Sequence, residues 1–461
     1  MRTSLSLNDR QHEKLRDHLF PGDGLEAVAL LVCGRAVSAG RLRLLVNDVH
    51  LVPHTSCRRS QDRVTWPTAA LPDLLHRASG CGQVLVKIHG HVDLDRFSDI
   101  DDAADRELLP SIDSWAPGPH GSAVMLANGR IFARLWVDDD FLPIDRVSLV
   151  GDDLKFWDAE SAGAIVPAHA VRVAQSFGAG TYELLSRLRI GIVGCSGTGS
   201  VVVDQLARNA VGELVIVDPD TIEAKNLNRI VNSKTSDAVK SRSKVEVAAA
   251  AILALGFGTV VETHATSLFS RAAIAAIASC DVVFGCMDSV DGRHLLSRLA
   301  TFYQLPYFDL GVKLEADGQG GVDQVCGTVH YLKPGGGSLL SRHVYTLEEV
   351  RAAGLSRVDP VAYKALRKEG YIKGVAEDRP AVIQLNSLIA SLAVNELLAR
   401  IHPYRLDPNG EYAVHRISLS HGIYEHLTDS LECAVLARHV GRGDIVPLLG
   451  MPELSQVEHA A

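Results

Sequence analysis

The chain has 461 residues, of which 47% are hydrophobic and 22% charged, and its formal net charge is −9. That composition excludes a disordered, collagenous or coiled-coil chain. A mildly acidic balance carries no global electrostatic footprint for nucleic acid or an anionic membrane. At roughly 150 residues per domain the length suggests about three domains. The eight cysteines include no CxxC pair, so a disulfide framework is not expected and a reducing cytoplasm is. The N-terminus has no apolar core after Arg2 and does not read as a signal peptide. The most apolar run, 247–261, falls short of the roughly 20 residues that span a bilayer.

In chain order, 26–35 and 41–53 alternate apolar runs with turn residues and predict two strands. Residues 83–91 predict another, ending in a histidine pair. A helix start is expected over 99–107, and 122–137 form a hairpin about Asn128-Gly129. This half reads as a mixed α+β domain ending near Trp157. Residues 158–180, rich in Ala and Gly, predict a helical connector. A strand over 188–194, a glycine turn, a helix over 201–210 and a strand over 213–218 follow. A second helix at 245–255 and a strand at 281–288 complete an alternation typical of a parallel sheet covered on both faces. Beyond Cys326 the pattern is less regular, with helices expected over 346–353 and 382–401 and a turn at 334–337.

The turn Gly194-Cys195-Ser196-Gly197-Thr198-Gly199 follows a strand and opens a helix. Its glycines Gly194, Gly197 and Gly199 let backbone N–H groups approach phosphate at the helix N-terminus. Alone it fits a dinucleotide enzyme or a nucleotide-activating enzyme. Asp218 and Asp220, about 20 residues on, suit ribose hydroxyls. Asn226, Arg229 and Lys244 then supply what a triphosphate requires: donors and cations that neutralise charge as pyrophosphate leaves. Asp288, just past a later strand, suits Mg²⁺.

This ordered set, GxGxxG with Ser196 at the second glycine, DxD, NLNR, a lysine and CxDS, resembles the adenylation motif of the ThiF and ubiquitin-activating superfamily over roughly residues 165–400. The resemblance implies an α/β Rossmann-like domain that uses ATP and Mg²⁺. Asp218 would bind ribose, Asn226, Arg229 and Lys244 the phosphates, and Asp288 the Mg²⁺, with Lys240 the alternative to Lys244. Arg172, in a segment like the family's arginine-glutamine stretch, would reach the phosphates of a second subunit, which implies a homodimer.

Relatives carry two CxxC pairs for structural zinc, whereas here Ser338 and Ser341 stand at the first pair and Cys433 is alone at the second. Serine is a poor zinc ligand, so that zinc is not expected. Cys433 and Cys326 remain as thioester nucleophiles; otherwise the chain stops at the acyl-adenylate. Cys195, Cys280 and Cys286 read as buried residues.

His89 and His91 end one strand, Ser98 and Asp101 follow, and Glu26 lies in the first strand. Two imidazoles and a carboxylate make a three-ligand Zn²⁺ site with one open position. Glu26 would take a proton from water there, and Ser98 would hold the oxyanion. This set, with the FSDIDD segment at 97–102, resembles the JAB/JAMM metalloprotease domain over residues 20–145. Gly90 and Val92 depart from that family's pattern, and Asp102 competes with Asp101 as ligand.

The expected architecture is an α+β JAB/JAMM-like domain (1–157) followed by a ThiF-type adenylation domain with a C-terminal extension (158–461). The expected function is adenylation of the C-terminal carboxylate of a ubiquitin-like protein for conjugation, with a conjugating enzyme as further partner and a JAB-like half that processes the same protein. Such fusions occur in prokaryotic ubiquitin-like systems, some linked to antiviral defence. Activation of a sulfur carrier, an NAD-dependent oxidoreductase and a non-catalytic scaffold stay open as alternatives.

Overall fold

Alternate apolar residues at the N-terminus already set up a sheet. In the computed structural model, which describes all residues except Ala39, Asp93, Ser161, Ala162, Ala164, 317–320, 369–381, Ser430 and 455–461, the chain divides into two compact units. The first comprises Met1–Ala162, Thr301–Gln304 and His439–Ala461, and the second Gly163–Ala300 and Leu305–Arg438. Part of the expected connector (161, 162 and 164) and the last seven residues lie outside the described residues.

The first unit begins with β1 (Arg2–Asn8) and α1 (Asp9–Leu19), followed by β2 (Val28–Ser38), β3 (Arg41–Leu51) and the short pair β4 (Arg58–Arg59) and β5 (Val64–Thr65). Next come α2 (Leu71–Gly80), β6 (Val84–His91), α3 (Asp99–Trp115), β7 (Gly121–Leu126), β8 (Ile131–Val137), β9 (Asp140–Pro143), β10 (Arg146–Val150) and β11 (Leu154–Asp158). Nine of these strands form one sheet in the order β11-β10-β1-β3-β2-β6-β7-β8-β9. On one face Leu15 and Leu19 of α1 pack with Leu5, Leu31, Val86 and Ile88. On the other, Leu74 and Leu75 of α2 and Leu109 and Ile112 of α3 pack with Leu30, Val32 and Leu85. β1 and α1 were absent from the sequence reading. Only Leu15 and Leu19 of α1 are buried, too sparse an apolar stripe to register as periodic.

The second unit's α-helices start with α4 (Val171–Phe177) and α5 (Ala179–Arg187), so only the later part of the expected connector is α-helical, from Val171, and the helices run on to Arg187. It continues through β12 (Arg189–Val193), α6 (Gly197–Arg208), β13 (Glu213–Val217), α7 (Thr235–Val239), α8 (Lys244–Leu255), β14 (Val260–His264), α9 (Arg271–Ala278), β15 (Val282–Gly285) and α10 (Val290–Phe302). β16 (Tyr307–Ala316), β17 (Val322–Leu332), α11 (Leu347–Val358), α12 (Pro360–Lys368), α13 (Ile383–Ile401), β18 (Val414–Ser418) and β19 (Ile423–Leu427) complete it.

The eight strands lie in the order β14-β13-β12-β15-β16-β17-β18-β19. The first five are parallel. The last three add antiparallel, in the stretch where the sequence pattern was less regular. The cause is local. Too few residues separate Ala316 from Val322 for a crossover, which needs about a dozen or more, so β17 can only turn back on β16. No helix among the described residues is long and apolar enough to cross a membrane.

Candidate functional site

Each unit carries one cluster of groups singled out from the sequence. In the first unit, His89 and His91 are two apart on β6 and share the face that packs under α3. Both are buried, at 2% and 4% exposure, and their Nε2 atoms lie 3.0 Å apart. Asp101 reaches them from the first turn of α3, with Oδ1 2.9 Å from His89 Nε2 and Oδ2 3.3 Å from His91 Nε2. Glu26, in the residues leading into β2, places Oε1 3.8 Å from His91 Nε2.

Local structure explains each placement. Ser98 is the N-cap of α3 and Asp101 its N3 partner in a capping box. The Ser98 Oγ–H donates to Asp101 Oδ2 at 2.7 Å, so Ser98 orients the carboxylate in addition to any role toward substrate. The backbone of Glu26 is pinned by Ser60 O, which accepts from its N–H, and by Arg59 Nε, which donates to its carbonyl. A side chain at position 90 would run into Phe20 at the end of α1, about 3.1 Å from its Cβ, which accounts for glycine between the histidines. His91 Nδ1 is 3.0 Å from the carbonyl of Leu94, leaving Nε2 to face the cluster.

The donor set fits a zinc ion. His89, His91 and Asp101 place their ligand atoms 2.9–3.3 Å apart, and Glu26 brings its carboxylate within 4.8 Å of both histidines. Around one tetrahedral zinc with bonds of about 2.0–2.2 Å, ligand atoms sit roughly 3.3 Å apart, near the spacings found. Burial pushes the Glu26 carboxyl up to about 7. For Asp101 burial acts upward too, but the hydrogen bonds with His89 and His91 pull it well below the carboxylate range. Burial lowers His89.

Beneath the cluster lies a buried ion network that the sequence reading missed. Lys87, on the same face of β6, pairs with Asp105 of α3. Arg134 of β8 pairs with Asp105 Oδ2 at 2.8 Å and with Asp102, and its guanidinium lies 3.7 Å and 3.6 Å from the ring centroids of Phe97 and Phe141. Asp102 is therefore engaged with Arg134, and Asp101 is the carboxylate that faces the histidines. The available signal was the i−2 position of Lys87 relative to His89.

In the second unit the strand order reverses between β12 and β15, where ligands of open α/β sheets bind. Gly194 follows β12 with φ +91°, and a Cβ there would lie 2.7 Å from Cys286 O, so only glycine fits. At Gly199 a Cβ would lie 1.8 Å from Gly194 O, which makes that approach equally exclusive. Ser196 at the N-cap of α6 makes no side-chain capping bond. Asp218 accepts from Cys195 N at 2.6 Å and from Asp220 N at 2.9 Å. Lys244 Nζ lies 2.6 Å from Asp220 Oδ2 and 3.8 Å from Asp218 Oδ1. The side chain of Asn226 accepts from Glu223 N at 3.1 Å, and Arg229 donates to Lys225 O at 2.9 Å and to Asn228 Oδ1 at 3.2 Å. Asp288 is exposed immediately past β15, and Lys240 is exposed at the end of α7. Lys244 is thus tied to the two aspartates, and Arg229 lies beside the turn, its Cδ 3.4 Å from where a Cβ at Gly197 would stand, with its guanidinium on Lys225 O and Asn228 Oδ1.

Arg172 is exposed on α4 and donates to Gln175 Oε1 at 2.9 Å. Cys433 is 3% exposed, whereas Cys326 is half-buried in mid-strand. Burial pushes the Cys195 thiol up to about 12 and raises that of Cys286 further. Ser338 and Ser341, at the spacing of a CxxC pair, exchange hydrogen bonds, Ser338 N to Ser341 Oγ at 2.9 Å and Ser341 N to Ser338 Oγ at 3.2 Å. Arg342 bonds Asp429 at 2.6 Å, and Asp429 also accepts from Gly337 N. These bonds tie the two segments together.

A glycine turn at the switch point of a parallel sheet, backed by paired aspartates and a buried lysine, defines the second unit as a nucleotide-binding α/β fold. The chain belongs to the ThiF family, whose model matches residues 169–429, more than half of its length. Among curated proteins it is 28% identical over 166 residues to ubiquitin-like modifier-activating enzyme 5 of Drosophila grimshawi, covering 33% of this chain and 39% of that protein. The Drosophila mojavensis enzyme of the same name is 27% identical over the same length and shares. The chain therefore spans about two fifths of the length of these relatives. Among solved structures, E. coli MccB is similar at 17% identity and a TM-score of 0.44, covering 62% of this chain and 76% of that one.

Proposed function

We propose that the chain uses ATP to adenylate the C-terminal carboxylate of a ubiquitin-like protein, and that its first unit is a JAB-like zinc peptidase acting on the same partner. A carboxylate is a poor acyl donor, and adenylation gives it a leaving group. The observation that carries the reading is the coincidence at one switch point of the glycine turn, the Asp218–Asp220–Lys244 cluster, Arg229 and the exposed Asp288.

In the reaction a carboxylate oxygen attacks the α-phosphorus of ATP, and the bond to the bridging oxygen of pyrophosphate breaks. The backbone N–H groups of the turn and the start of α6 receive phosphate oxygens. Asp218, fixed by two backbone N–H groups, accepts from ribose hydroxyls. Lys244 leaves Asp220 for the phosphates, and Arg229 leaves the Lys225 carbonyl, each trading a local acceptor for a more highly charged one. Asn226 braces the segment that carries Arg229. Asp288 would hold Mg²⁺, which supplies charge neutralisation on the phosphates. Arg172, exposed on α4, would serve the site of a second copy in a homodimer. Cys433 is buried and Cys326 half-buried, and in this reading the chain hands the acyl group of the adenylate to a conjugating enzyme. Eight free cysteines are consistent with a cytoplasmic setting.

In the first unit, His89, His91 and Asp101 would hold zinc, which supplies Lewis acidity toward a peptide carbonyl and the attacking water. Glu26 would accept the water proton, and the cap bond from Ser98 keeps Asp101 directed at the histidines.

Exchange of labelled pyrophosphate into ATP tests the adenylation reading. With a ubiquitin-like protein whose C-terminal carboxylate is free, exchange is expected. With the same protein amidated at that carboxylate, or with Asp288→Ala, it should fall to background. Exchange that persists in Arg229→Ala and Asp288→Ala together would overturn the reading.

A further inference from the structure

Asn386, in the first turn of α13, is 2% exposed, and its Nδ2 has no hydrogen-bond partner among the described residues. An unpaired buried amide N–H costs free energy comparable to a lost hydrogen bond and calls for an explanation. Its position is specific. α13 packs against α6, and a Cβ at Gly197, the first residue of α6, would lie 2.1 Å from Asn386 Nδ2 and 3.4 Å from Arg229 Cδ. The amide is therefore seated against the start of the helix that the glycine turn opens, beside the arginine of the same site.

Several donors gather there. The first-turn N–H groups of α6 have no intrahelical acceptor, and Ser196 offers no side-chain cap. The helix dipole favours negative charge at that end. Asn386 Nδ2 adds a donor without an acceptor, and Arg229 adds a cation. A lining made of donors matches a ligand made of acceptors, which is a phosphate group. We propose that Asn386 is a nucleotide-contacting residue, its side-chain amide donating to a phosphate oxygen of the nucleotide held at the 194–199 turn. The proposal rests on the reading of that turn as an ATP site. It also explains why position 197 is glycine: any side chain would occupy the place of the amide.

The test is calorimetric titration of the full-length protein with ATP and Mg²⁺, and separately with adenosine. Asn386→Leu keeps the volume and removes the donor, and Asn386→Asp keeps the shape and adds a repelling charge. A hydrogen bond to a charged group predicts that the ATP Kd of Asn386→Leu rises roughly ten- to hundredfold and that of Asn386→Asp more. Adenosine, which has no phosphate, should bind both variants within about twofold of wild type. Without nucleotide, Asn386→Leu should melt no earlier than wild type, because the unpaired polar group is gone. A folded Asn386→Leu that binds ATP as wild type does overturns the proposal, as does an equal loss for adenosine. Should that variant fail to fold, Asn386→Asp carries the same comparison. A wild-type protein that binds no ATP removes the underlying reading as well, whereas wild-type binding with unchanged variants removes only the role of Asn386.

Discussion

The two units hold their functional groups in opposite ways. In the first, Glu26, His89, His91 and Asp101 already point at one another across 2.9–3.8 Å. In the second, the groups are turned onto one another or onto the backbone: Lys244 onto Asp220, Arg229 onto a carbonyl. On the function proposed above, the ligands account for the contrast. A metal ion is small and fixes its bond lengths to within a few tenths of an ångström, so its donors must converge beforehand. A nucleoside triphosphate is large and brings its own charge, so cations parked on local acceptors can transfer to it. The price of convergence is a buried support, here Lys87, Asp105 and Arg134. The second unit needs only the exclusive backbone geometry at Gly194 and Gly199.

Perturbing that support should have the largest effect. Asp105→Asn leaves Lys87 buried without its carboxylate partner and Arg134 with Asp102 alone, and should lower stability by about 3–5 kcal/mol, read as a fall in the urea midpoint. A smaller loss would mean that the network is better solvated than its burial indicates. In the second unit, Lys244→Ala removes a cation from the phosphates without touching the sheet. Pyrophosphate exchange should fall by roughly 10²–10³-fold, with little change in melting. If Lys244 instead serves mainly to neutralise Asp218 and Asp220, the variant will melt early and retain exchange when folded. The smallest effect belongs to Ser98→Ala. Loss of the α3 cap should cost about 1 kcal/mol, and zinc affinity should drop by roughly 10–100-fold because Asp101 loses the bond that orients it. An unchanged zinc affinity would show that the histidines alone set the geometry.

Much of this was legible in the sequence because it followed short-range rules. His89 and His91 share a face because strand side chains repeat every two residues, and Ser98 with Asp101 forms a capping box because that spacing is helical. The glycine turn announced itself through residues that no other side chain can replace. What escaped required distant contacts. Asp101 and Asp102 are adjacent in sequence, and only the packing of α3 under β8 assigns the first to the histidines and the second to Arg134. Neither Arg134 nor Asp105 belongs to a motif. Asn386 lies far along the chain from Gly197 and has no periodic signature. β1 was missed because its alternation is brief, and the antiparallel half of the second sheet because a strand carries no mark of its partner's direction.

On the function proposed above, one chain carries a preassembled metal site in its first unit and a nucleotide site, completed by its ligand, in its second. Native mass spectrometry of the full-length protein, loaded with zinc and with ATP and Mg²⁺, tests it most directly when wild type is compared with His89→Ala and Arg229→Ala. The account predicts one zinc and one nucleotide per wild-type chain, loss of zinc alone in His89→Ala, and loss of nucleotide alone in Arg229→Ala. Zinc retained by His89→Ala, or nucleotide retained in full by Arg229→Ala, would contradict it.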